Sequence, residues 1–174
     1  MKRSIAPVLT VLILAAIPAS LFAKGEIVRI SIRGIDLKTP IEITDLKDLK
    51  DVDVNVWAGP GVRVNGKEQT EGFIIDWPRG VVAERPSGLR HYEVSFYAKF
   101  EEVRLVYVVF YDYNPSAEQG YVYLPGKGDK WLNLNCGTIC RGDEFEGNWF
   151  HATRAWENSV RPLIARAKVI SSNS

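Results

Sequence analysis

The most reactive pair of side chains is the thiols of Cys136-Gly137-Thr138-Ile139-Cys140, the chain's two cysteines. An extended strand would hold their Cα atoms about 13 Å apart, too far to bridge, so a bond between them demands a turn. Gly137 permits one, and closing so short a loop contributes about 2 kcal/mol in the chain-entropy model. The competing chemistry makes one thiol a nucleophile activated by His151 or His91, as in a small exported cysteine hydrolase. A nucleophilic thiol wants a helix N-terminus and a nearby base, and the flanking residues announce no helix. A second thiol nearby would also oxidise the first. The spacing is not that of a C-x-x-C redox motif, so the expectation is a Cys136–Cys140 disulfide and no catalytic residue.

Other constellations are weaker. His91 shares a strand face with Glu93, and His151 stands apart from Glu157. Neither pair has zinc-motif spacing, so no metal site is expected. No G-x-S-x-G or Walker-type G-K-[ST] occurs, and Pro60 removes an amide that a phosphate cradle at Gly59–Gly61 would need. No cofactor is implied. Carboxylate pairs at Glu101/Glu102 and Glu144/Glu146 are within a glycosidase's repertoire, yet 21 acids produce such pairs by chance. Arg141-Gly142-Asp143 is an adhesion tripeptide by letter and ordinary turn chemistry by physics.

The aromatic side chains are more informative. If 107–113 and 121–124 pair across the loop Asn114–Glu118, Tyr111 lies near Tyr121. Tyr123 then falls beside Val109 and Tyr107 on one face. A Tyr-rich face flanked by Trp77 and Trp131 is either a platform for stacking sugar rings or a core filled by large rings. Tyr97, Tyr107, Tyr123 and Trp131 are the candidate binding residues.

The elements that must position them read mainly as β. Val28, Ile30 and Ile32 alternate with polar residues, Ile41 and Ile43 follow Pro40, and Val52, Val54 and Val56 repeat the spacing. Asp45 is a candidate cap for a short helix over 46–51. Phe73 to Trp77 is a strand candidate stopped by Pro78. Tyr92, Val94, Phe96, Ala98 and Phe100 give the clearest alternation, and Val103 to Tyr111 reads as a central strand covered on both faces. Trp131 to Leu134 resumes a short strand. From Thr153 to Lys168 the apolar period becomes helical, with Thr153 as N-cap and Pro162 expected to kink or split the helix. Its bases (Arg154, Arg161, Arg166 and Lys168) face either water or an anionic polymer. The expected architecture is one domain, 24–174, of about eight antiparallel strands in a sandwich or strongly curved sheet with a C-terminal helix.

The N-terminus reads as a signal peptide over 1–23. Lys2 and Arg3 precede an apolar run from Ala6 to Ile17, Pro18 breaks it, and small residues lead to Ala23. Cleavage after Ala23 leaves Leu21 at the −3 position, whereas cleavage after Gly25 puts Ala23 there and fits the small-x-small rule better. A membrane anchor is disfavoured by Pro7 and Pro18 and by the lack of a basic stop-transfer flank. The expectation is export to a periplasmic or secreted location, with membrane contact only through the segment removed.

The whole chain of 174 residues carries 22 bases against 21 acids, a formal charge of +1, which offers no basis for a nucleic-acid partner. An apolar share of 46% and a charged share of 25% exclude disordered and fibrous classes.

Tyr107-Val108-Val109-Phe110-Tyr111-Asp112-Tyr113, then Gln119-Gly120-Tyr121-Val122-Tyr123-Leu124-Pro125-Gly126, resembles a group of exported bacterial proteins with no known function. The likeness extends to Gly147-Asn148-Trp149, about a third of the chain. It implies export and a shared fold and supplies no catalytic residue. These readings converge on an exported, non-enzymatic module that binds an envelope glycan or a protein partner. The other readings are the cysteine hydrolase and an inhibitor or accessory subunit of another exported protein.

Overall fold

The computed structural model describes residues 25–45, 56–64 and 66–172. The signal segment 1–23, the helix expected over 46–51 and nearly all of the strand expected over 52–56 lie outside the described residues. Six strands form one open antiparallel sheet: β1 (Glu26–Gly34), β2 (Ile41–Ile43), β5 (Arg90–Lys99), β6 (Val103–Tyr113), β7 (Tyr121–Tyr123) and β8 (Trp149–His151). Their order is β2-β1-β5-β6-β7-β8, and β3 (Arg63–Val64) and β4 (Lys67–Glu68) make a separate two-stranded ribbon. Helix α1 spans Leu132–Cys136 and helix α2 spans Arg154–Ser172. The chain is mainly β with a C-terminal helix, as its alternation requires. One sheet and a helix, rather than two stacked sheets, enclose the core. Among the described residues no helix is long and apolar enough to cross a membrane.

The core lies on one face of the sheet. Register places Ile32, Val94 and Val109 side by side, with Ile30, Phe96 and Tyr107 as the next row. Tyr92, Tyr111, Val122 and Phe150 form a third row reaching β8. All of these side chains are buried. Helix α2 closes over them with Trp156, Val160 and Ile164, spaced four apart and fully buried. Burying each such side chain contributes about 1.5–3 kcal/mol. Thr153 caps the helix, accepting the Trp156 amide at 3.1 Å. Polar anchors fix its pitch: Arg161 pairs with Glu157 and donates to the Ala117 carbonyl, and Lys168 pairs with Asp36. Pro162 neither splits nor ends the helix. It stands on the exposed side of the helix, as does Asn158, whose carbonyl loses its amide partner.

Strand β7 pairs only with residues 110–112 of β6, which leaves the same edge of β6 unpaired further back. Asn135 closes that gap. Its side chain accepts the Val108 amide at 2.9 Å and donates to the Val108 carbonyl at 2.7 Å, imitating a strand's peptide group. Thr138 donates its hydroxyl to the Val106 carbonyl at 2.6 Å. The Cys136–Cys140 disulfide is present and ties together the turn that holds both side chains. Its contribution is therefore to an edge cap as well as to loop closure.

Four local expectations are corrected. Trp131–Leu134 is not a strand; it leads into and forms α1, in which the Asn135 amide donates to the Trp131 carbonyl and the Asn133 and Asn135 carbonyls accept from the amides of Gly137, Thr138 and Ile139. Phe73–Trp77 forms only an isolated bridge at Ile75, followed by a 3-10 turn over Trp77–Arg79. A bulge between Ile27 and Arg29 moves Val28 off the buried face and puts Ile27 on it. The β6–β7 hairpin is offset by one residue: Tyr111 faces Val122, and Phe110 faces Tyr123. A one-residue slip exchanges faces, and here it sends Val122 into the core and both tyrosines of β7 outward.

Asn135→Ala leaves the buried Val108 amide and carbonyl without partners, each worth about 1–3 kcal/mol. The expected loss in urea unfolding is about 2–4 kcal/mol, with Asn133→Ala, one turn position away and exposed, near zero. Equal effects at the two positions would show that the edge is not held by this side chain.

Candidate functional site

The outer face of the sheet collects the chain's chemistry. Across β5, β6, β7 and β8 the register aligns Glu93, Phe110, Tyr123 and Trp149 in one row. The adjacent row is His91, Asp112, Tyr121 and His151, so both histidines of the chain lie in it. The rings touch in sequence across the strands. His91 stacks on Phe110 at 5.0 Å, Phe110 meets Tyr123 at 6.3 Å, and Tyr123 meets Trp149 at 5.0 Å. Tyr121 and His151 are 5.4 Å apart. Phe110, Tyr121, Tyr123 and Trp149 are all partly exposed, so this strip has neighbours on its flanks and solvent above it.

Asp112 is the exception, with its side chain only 4% exposed. A carboxylate so placed must be paired. One oxygen takes His91 Nδ1 at 2.6 Å and the other takes the Arg85 guanidinium. Arg85 arrives on the segment after the 3-10 turn, which runs beside β8 through the Val81–Phe150 bridge and the Val82 amide bonded to the Trp149 carbonyl. Its guanidinium lies 3.8 Å from the centre of the Trp149 ring. At the other end of the strip Trp131 donates its indole N–H to Glu93 at 3.0 Å. The Tyr123 hydroxyl donates to Asp129 at 2.8 Å, and burial together with that carboxylate raises its pKa to about 12.

Burial and the Arg85 cation hold the His91 imidazole below its ordinary pKa, with Glu93 acting in the opposite sense. His151 is lowered too, by burial and then by Arg79. Both rings are thus biased towards the neutral form. An Asp–His pair is half of a general-base arrangement. Among the described residues, however, no hydroxyl or thiol bonds to the other His91 nitrogen. Nor does any group of three or more His, Cys, Asp or Glu among them suit a metal ion. The arrangement can stack flat rings and offer hydrogen-bond donors.

The sequence-derived candidates are dispersed. Tyr123 belongs to the strip, and Trp131 borders it through Glu93. Tyr97 shares the face, but Arg29 covers its ring at 3.8 Å. Tyr107 is corrected outright: it lies on the core face, 4% exposed, edge-on to Trp57 at 5.5 Å. Burial pushes its pKa up to about 12. The two cysteines are bonded to each other, which removes the thiolate that the hydrolase reading needs. Arg141 of the adhesion tripeptide is consumed by the fold, donating to the Pro60, Trp57 and Ala58 carbonyls at 2.9–3.1 Å. Arg85, Phe110, Asp112 and Trp149 were missed as site residues. Asp112, a carboxylate directly after the apolar run Leu105–Tyr111, was the available sign.

A polar cleft of about 400 Å³ lies beside the start of α2, lined by Asp76, Arg79, Glu118, Gln119, Arg154 and Glu157. Its charges are mixed, and several are already paired: Arg79 with Gln119, and Glu157 with Arg161 and the Gly120 amide. No family model matches the chain, and no curated protein or solved structure matches it significantly.

The His91 ring provides a direct check. Because its folded pKa lies below the unfolded value of 6.5, the unfolded chain takes the proton first. The stability tied to this group is present above pH 6.5 and is lost as pH falls through the folded value. Arg85→Gln should move the His91 midpoint in an NMR titration upward, and Glu93→Gln should move it downward. A midpoint indifferent to Arg85→Gln would contradict the arrangement.

Proposed function

We propose that the chain is an exported, non-enzymatic module whose outer sheet face binds a glycan by ring stacking. The observation that carries this reading is the chain of contacting rings His91–Phe110–Tyr123–Trp149, which crosses four strands with every ring at least partly exposed. Flat rings set rigidly on a sheet present π-faces at little conformational cost, which suits the C–H faces of sugar rings better than a mobile loop does. Polar groups along the same strip (the Tyr121 phenol, the Arg85 guanidinium and the outer His91 nitrogen) provide the directional contacts that a hydroxylated ligand needs. Export is supported by the charged, then apolar, then small-residue order of the N-terminus and by the disulfide, which an oxidising compartment maintains.

The experiment is a melting-temperature and calorimetric screen of the protein recovered from the exporting cell, against soluble envelope oligosaccharides. Each stacking contact is worth about 0.5–1.5 kcal/mol, so Trp149→Ala and Phe110→Ala should each weaken binding by about 2–10-fold. Neither change should alter the fold, since both rings are partly exposed. Failure to bind any oligosaccharide, together with recovery of a stoichiometric protein partner, would transfer the face to protein recognition. An intact mass retaining residues 1–23 would contradict export with cleavage.

A further inference from the structure

We propose that the strip contains a subsite for the carboxylate of an acidic sugar, formed by Arg85 above Trp149 and oriented by buried Asp112. The inference rests on the glycan reading and goes further by naming the ligand's charge. Three observations support it.

The first is that Arg85 is held in place. One terminal nitrogen is bound to Asp112, whose own side chain is 4% exposed, and the planar group lies 3.8 Å over the Trp149 ring. A guanidinium fixed at one edge and one face has lost its rotational freedom before any ligand arrives. The second is that the remaining edge is free to act. The Arg85 side chain keeps 32% of its exposure, and its other N–H groups make no hydrogen bond among the described residues. Those N–H groups form the fork that matches a carboxylate in two parallel bonds. The third is that the two acids of the strip, Asp112 and Glu93, are already engaged. Asp112 is buried and paired. Glu93 accepts from Trp131 at the opposite end of the row, three strand spacings or about 14 Å from Trp149. The end of the strip at Tyr121 and Trp149 therefore combines partly exposed rings with one oriented cation. Because Arg85 already covers one face of Trp149, a uronic-acid ring would lie beside that pair, over the partly exposed Tyr121 and Tyr123, and direct its C5 carboxylate to the fork.

Titration calorimetry with tetragalacturonate and its full methyl ester tests this, because esterification keeps the sugar rings and removes the charge that Arg85 would read. The wild-type protein should bind the acid about tenfold more tightly than the ester. Arg85→Gln should bring the acid down to the affinity of the ester and leave the ester unchanged. Arg85→Lys, which keeps Asp112 paired but lacks the planar fork, should retain only part of the preference. Trp149→Ala should weaken both ligands. Equal binding of acid and ester by the wild type would overturn the carboxylate subsite and leave the glycan platform standing. Binding of neither would bring down both readings. Displacement of tetragalacturonate by inorganic phosphate as readily as by free galacturonate would overturn the assignment to a sugar acid.

Discussion

A carboxylate buried on the open face of a sheet organises this molecule's surface. Asp112 stands near the end of a strand that is apolar from Leu105 to Tyr111, with Tyr111 and Tyr113 on either side facing the core. Left unpaired at that depth, its charge would cost several kcal/mol. Two groups from distant parts of the chain answer it, Arg85 from a loop and His91 from the neighbouring strand. Their positions are consequences of that pairing. Arg85 is drawn across β8 and over Trp149, and His91 is turned so that its ring stacks on Phe110. The row of rings and the cation above it are thus one arrangement with a single electrostatic cause.

The rest of the fold keeps β6 in place to present that carboxylate. On the core face, Tyr111 meets Trp156 of helix α2 edge-on at 5.7 Å, and Tyr107 meets Trp57 edge-on at 5.5 Å. Along its exposed edge the disulfide-tied turn supplies Asn135 and Thr138 in place of a strand. That device also covers an edge which would otherwise be open to pairing with another chain. Close approaches complete the frame. Gly120 sits where a Cβ would meet Glu157 and Tyr111, and the Gly126 and Gly147 backbones touch where no side chain fits.

Much of this is legible without coordinates. The period-two pattern from Tyr92 to Ala98 survives because one face is wholly buried, and Trp156, Val160 and Ile164 announce the helix for the same reason. The cysteine spacing permits little except a local turn. What escapes is set by tertiary contact. The connection from Asn114 to Gly120 is too long to dictate register, so the slip that turns Tyr123 and Tyr107 to opposite faces is decided by Val122 seeking the core. Bulges at Val28 and beside Tyr107 are single-residue events with no periodic signature. Arg85 and Asp112 are separated by 27 residues, and no local spacing rule links them. Trp131 alternates with its neighbours like a strand, yet the need to cap β6 makes the following residues a helical turn.

The central claim is that ligand meets the outer face at its Trp149 end. Chemical-shift mapping of the labelled protein with tetragalacturonate tests it most directly. The account predicts that the Trp149 indole N–H, the Arg85 Nε–H and the amides of β7 and β8 move first and saturate together. Shifts confined to the cleft at Arg79 and Arg154, or absent from Trp149 and Arg85 at saturation, would contradict it.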